Sequence, residues 1–191
     1  MPAAAVDSGF DVAFWFLDRA LNDREYLQPQ KLHRVMYLAQ AYFSVIYRGR
    51  ALMPAVFVAE EMGPIEPNIY RAFEFGRPSV DPRKPPEGAI HLLDSIWRRF
   101  GAHSADHLSR LIKNHAPYVE ARRKGLREEI TLAAMYQFYS NLGSGKEVMS
   151  AGAPPEEKLI APAVEQVLRP RVMRSQNGPV SVKKWMPPVK K

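Results

Sequence analysis

Residues 29–49 read PQKLHRVMYLAQAYFSVIYRG and residues 62–76 read MGPIEPNIYRAFEFG, and the fold follows from how these two stretches are read. Pro29 suits the opening turn of a helix, where its missing N–H is an orphan in any case, and Gly49 stands where a left-handed stop would fall. Between them Leu32, Val35, Met36, Ala39, Tyr42, Phe43 and Ile46 recur at three-and-four spacing and form one apolar stripe. Lys31, Arg34, Gln40 and Arg48 fall largely off that stripe. The spacing therefore predicts one long helix that needs a partner to bury its face. In the second stretch Gly63, Pro64 and Pro67 punctuate the chain, and Pro67 is placed to begin a helix carrying Ile69, Tyr70, Phe73 and Phe75.

Working outward, the aromatic run Val12 to Leu17 predicts a core helix from about Asp11 to Leu21. Val56 to Val58 is a short β-branched and aromatic run, the one expected β element, near residues 55–62. Residues 76–86, GRPSVDPRKPP, hold four prolines and predict an extended surface loop that is also a candidate for binding a partner. A helix from about Glu87 to Phe100 presents Ile90, Leu93, Ile96 and Trp97, and Gly101 ends it. Ser104 is the expected N-cap of a helix with Leu108, Leu111 and Ile112; Pro117 restarts the chain; Thr131 caps a helix with Leu132, Met135, Tyr136, Phe138 and Tyr139. The reading is mainly α: a compact domain of about six to seven helices over residues 1–142.

Residues 143–191 form a low-complexity, Pro-rich, basic extension whose seven prolines exclude a long helix or a central strand. One short helix between Glu156 and Leu168 is allowed. The formal net charge of +7 is concentrated there, because residues 162–191 carry seven basic residues against one acid and leave +1 for residues 1–161. Arg169, Arg171, Arg174, Lys183, Lys184, Trp185, Lys190 and Lys191 are the candidate binding residues of this tail, charge combined with an aromatic that has no obvious core to enter. With no cysteine there is no disulfide, no zinc-thiolate site and no thiol nucleophile. No signal sequence and no apolar run of membrane length is seen, so a cytoplasmic location is expected.

Catalytic motifs are missing. There is no G-x-S-x-G elbow, no phosphate loop and no H-E-x-x-H helix. Glu60, Glu61 and Glu66 flank the Gly63–Pro64 turn, yet nothing supplies a nucleophile or an oxyanion donor beside them. His103 and His107 at helical spacing make half a zinc site, with no Cys and no convergent carboxylate to complete it. The expectation is a protein without enzymatic activity, cofactor or metal.

The two opening stretches, PQKLHRVMYLAQAYFSVIYRGRAL and MGPIEPNIYRAF, followed by FGAHSADHLSRLIKNHAPYVEAR, resemble the SocA-like antitoxin or Panacea domain family, also described as phage-associated and GepA-like. The likeness runs from roughly residue 10 to residue 141, with the blocks in family order. Ala59, Glu60, Glu61, Met62, Gly63 and Pro64 stand where the family has Ala-Trp-x-x-Gly-Pro, Tyr118 stands for its expected Trp, and Lys113 replaces the Thr before His115, so no role of that Thr carries over. The positions that match its motifs are Lys31, Leu32, Tyr37, Gln40, Gly63, Pro64, Pro67, Tyr70, His115, Pro117 and Tyr118, for which the resemblance implies structural or partner-binding roles. It further implies an antitoxin that neutralises a cognate toxin, in the SocA branch as a proteolytic adaptor that presents the toxin to the ClpXP protease. Two alternatives remain open at the level of sequence: an accessory protein that holds nucleic acid or another polyanion through its tail, and an assembly subunit whose tail wraps a neighbour.

Overall fold

A computed structural model describes residues 4–142 and 161–169, together with the backbone of 174–175 and 178–179. Eight helices are present among the described residues: α1 (Gly9–Asn22), α2 (Pro29–Ile46), α3 (Pro67–Ala72), α4 (Glu87–Phe100), α5 (Ala105–Lys113), α6 (Ala116–Lys124), α7 (Leu132–Ser140) and α8 (Val164–Leu168). The strands are β1 (Phe57–Glu60), β2 (Gly63–Ile65), β3 (Glu129–Ile130), and a two-residue pair, β4 (Arg174–Ser175) with β5 (Gly178–Pro179). The mainly helical expectation holds, with a larger β component than the single short element expected.

The organising element is α2. Every residue from Leu32 to Ser44 is buried, because α1, α4, α5, α7, α8 and β2 pack around it. An amphipathic stripe with Arg34 and Gln40 off to the side is therefore the wrong description: the helix is enclosed on all faces, and its polar residues work inside the protein. Gln40 shows how. Its Oε1 accepts from the backbone N–H of Leu52 at 3.0 Å and of Met53 at 3.1 Å, while its Nε2 donates to the Met53 carbonyl at 3.2 Å. The segment that leads into β1 is thus tied to α2 by one amide group. Gln40→Leu keeps the volume and removes all three partners, so a loss of about 2 to 3 kcal/mol is expected. A urea titration that leaves the midpoint unmoved would refute this.

β1 is central in a three-stranded antiparallel sheet of order β2–β1–β3. Glu60 pairs with Gly63 and Ala59 with Pro64, so Glu61 and Met62 form the two-residue loop of a hairpin. Pro64 is compatible with this position because β2 is an edge strand and no ladder bond is needed from its nitrogen. On the other side Phe57 pairs with Ile130, and Ala59 N donates to Glu128 O at 2.9 Å.

Helix starts follow local chemistry. Ser8 and Asp11 make a reciprocal capping box on α1, and the Ser104 and Thr131 hydroxyls accept from His107 N and Ala134 N at 3.2 Å each, as their sequence positions anticipate. Asp11 also accepts from Arg83 N at 2.8 Å, and Arg77 pairs with Asp18 at 3.1 Å, so the Pro-rich loop is strapped along α1. Helix α3 ends at Ala72, earlier than its apolar spacing suggests, and Phe75 lies beyond it, 95% exposed. Helix α8 packs against α4 and α2, with Ala161 and Val167 in the main core and Tyr42 Oη donating to Pro162 O at 2.6 Å.

Candidate functional site

The hairpin loop is held from within the protein by Arg34, which is 1% exposed although it carries a charge. Its Nη1 donates to Pro64 O at 3.0 Å, its Nε donates to Ser109 Oγ at 3.0 Å, and its Nη2 donates to Met62 O. No carboxylate pairs with it among the described residues. Burial pulls the guanidinium pKa down to about 10, against the opposing influence of Tyr118 and Asp106. The group therefore acts as a charged three-way donor, matched to carbonyls that the edge strand cannot otherwise satisfy.

Gly63 is the counterpart of this clamp. Its φ is +119°, and a Cβ there would stand 2.8 Å from Arg34 Nε. Gly63→Ala meets both backbone strain and the guanidinium, and a loss of about 2 to 4 kcal/mol is expected. Thermal unfolding checks this, and an unchanged midpoint would show that the loop relaxes freely.

Below the hairpin, Glu66 caps α3. It is buried, and its carboxylate accepts from Ile69 N at 2.6 Å and from Asn68 Nδ2 at 3.1 Å. Its own N–H donates to His33 Nδ1 at 3.3 Å, so the acceptor nitrogen of His33 carries no proton. Burial, reinforced by Arg34, lowers the His33 pKa to about 4. Tyr118 approaches from α6, with its hydroxyl donating to Glu60 O.

The three glutamates around the turn do not converge. Glu60 pairs with Arg127 at 2.6 Å, Glu61 is exposed on the loop, and Glu66 is the cap just described. An acid–base pair of carboxylates is therefore not assembled here. Among the described residues no group of three or more His, Cys, Asp or Glu side chains is placed to hold a metal ion, and the His103 and His107 rings stack at 4.3 Å.

The residues singled out in the sequence divide into two sets. Gly63, Pro64, Pro67, Tyr70 and Tyr118 gather around the hairpin and the start of α3. The others serve the interior. Leu32 and Tyr37 are core residues of α2, and Lys31 donates to Gly101 O while standing 5.4 Å from the Trp97 ring centre. Pro117 opens α6. His115, just before α6, is buried with Nδ1 2.9 Å from Tyr139 Oη, and its Nε2 has no partner. Arg169 is exposed after α8; Arg171, Lys183, Lys184, Trp185, Lys190 and Lys191, and the side chain of Arg174, lie outside the described residues. Sequence reasoning misses Arg34 and His33 as site residues, and it picks out Glu66 only as an acid beside the turn and not as the cap of α3. The available signal was a His-Arg pair inside an otherwise apolar run of α2.

The same segment also exposes apolar groups. Met62 is 55% exposed and Tyr70 53%, and Phe75 follows. Beside the Glu61 end of the hairpin an open cleft of about 380 Å³ is lined by Glu61, Lys113, Tyr118, Val119, Arg122 and Arg123. Compared with family models, with curated proteins and with solved structures, the chain finds no match.

Proposed function

We propose that this chain is a non-enzymatic, antitoxin-like binding module that neutralises a partner toxin, and that it works in the cytoplasm. The observation that carries the reading is the contrast within residues 62–75. Arg34, Glu66 and Tyr118 hold the backbone of the hairpin and α3 from inside, while Met62, Tyr70 and Phe75 face solvent. A pre-organised backbone with exposed Met and aromatic side chains has the composition of a binding hot spot, because little conformational entropy remains to be lost on docking. The resemblance to SocA-like antitoxins supplies the class of partner, and presentation of that partner to ClpXP is part of the proposal. No described helix is long and apolar enough to cross a membrane.

The test is co-expression with the neighbouring reading frame, scoring growth rescue and copurification. A neighbour that is toxic alone, harmless together and bound to this protein supports the proposal; a harmless neighbour that does not bind removes it. In a rescuing pair, the double variant Tyr70→Ala/Phe75→Ala is expected to weaken the complex by about 2 to 4 kcal/mol without loss of fold, since both side chains are exposed. Any contribution of the basic tail is measured by truncation after Arg169, which leaves Ala161 and Val167 in the core. Binding that survives this truncation and moderate salt assigns the affinity to the helical body.

A further inference from the structure

The cleft beside the hairpin combines features that the hairpin clamp leaves unused. Lys113 comes from the last turn of α5 and Arg122 and Arg123 from the last turn of α6. A favourable interaction of about 0.3 to 1 kcal/mol with each helix C-terminus explains why a cation sits at each place. It does not explain why three of them share one cleft with a single carboxylate, Glu61. None of the three is ion-paired among the described residues, and the nearby Glu60 is engaged by Arg127 at 2.6 Å. The remaining lining is Val119 and Tyr118, the apolar part of the cleft. The Tyr118 ring is buried and its hydroxyl donates to Glu60 O, so it offers no free face on which a base could stack.

We infer that this cleft docks an acidic peptide segment of a partner protein, with carboxylates meeting Lys113, Arg122 and Arg123 and an apolar side chain resting on Val119. Charge complementarity selects the anion, and the apolar part with no stacking face selects peptide over nucleic acid. The inference rests on the reading of the chain as a protein-binding module, but its test needs no toxin.

The test is a fluorescence-anisotropy titration of the full chain with a short, labelled Glu/Asp peptide carrying one central Leu. The competitors are a single-stranded oligonucleotide and inorganic phosphate. Arg122→Glu/Arg123→Glu, and separately Lys113→Glu, are expected to weaken peptide binding about tenfold, whereas Arg98→Glu/Arg99→Glu on α4 leaves it unchanged. Circular dichroism of each variant confirms the fold. Binding that ignores the cleft substitutions belongs to the basic tail and overturns the inference; so do preferential binding of the oligonucleotide, displacement by phosphate at equal concentration, and absence of binding. Growth rescue is scored independently, so rescue by a parent chain that binds no peptide sinks the cleft alone, and peptide binding by a parent chain that gives no rescue sinks the toxin partner alone.

Discussion

Lowering the pH from 7 to 5 is expected to remove about 4 kcal/mol of stability, through two histidines buried without charge. Burial lowers the pKa of His33 to about 4, with Arg34 adding to the shift, and that of His115 to about 3, from an ordinary value of 6.5. The sign follows from which state binds the proton. Well above pH 6.5 neither state is protonated at these rings, and their full contribution is present. As the pH falls below 6.5 the unfolded chain takes up two protons that the folded chain refuses, so stability drains away until the folded pKa values are reached. At pH 5 each ring costs about 2 kcal/mol, a large part of the 5 to 15 kcal/mol that holds a domain together. Local bonding agrees with the neutral forms: His33 Nδ1 accepts from Glu66 N, and His115 Nε2 has no acceptor to which a second proton could be given. Urea unfolding at a series of pH values measures the effect. His115→Gln should reduce the proton uptake on unfolding between pH 6 and pH 4 by about one; equal uptake in variant and parent would mean that His115 titrates normally.

Arg34→Ala is expected to be the most damaging single substitution, at about 3 to 5 kcal/mol. It strands the Pro64 and Met62 carbonyls and the Ser109 hydroxyl, and leaves a hole beside the N-terminal half of α2. Arg34→Met separates two explanations. It restores the packing but donates nothing; if the cost of burying an unpaired guanidinium exceeds its three hydrogen bonds, this variant will equal or exceed the parent in stability. We expect it to fall short by about 1 to 3 kcal/mol, because two carbonyls then remain without donors. Arg34→Lys, a point charge where a planar fork is needed, should lie between the parent and Arg34→Ala. In the toxin-rescue assay all three should lose activity in proportion to the disorder of Met62 and Tyr70, which links the clamp to the proposed function.

Helix positions were legible in the sequence because caps and prolines are local signals: Pro29, Pro67, Ser104 and Thr131 each begin a helix as expected. The enclosure of α2 was not, since spacing reports one preferred face and says nothing of how many neighbours arrive. Ala39, Ala41 and Ser44, small residues that let other elements approach closely, were the overlooked hint. The hairpin was read as a turn because Gly63 and Pro64 are breakers in most settings, and only the edge position of β2 makes them strand residues. β3 is two residues long and depends on a partner some seventy positions away, beyond the reach of any local pattern. The hairpin residues of the candidate site are found by resemblance, but the arginine behind them is not, because its spacing only places it off the apolar stripe and a cation off the stripe is ordinarily exposed.

The docking of α8 carries a consequence for how the protein is made. Synthesis proceeds from the N-terminus, so Ala161, Pro162 and Val167 emerge after the elements they cover, and the α2–α4 surface waits for them. During that interval the Tyr42 hydroxyl has no carbonyl to donate to and an apolar face stands open, the kind of surface that chaperones bind and that aggregates form through. A chain stopped at Leu142 would keep that face open permanently.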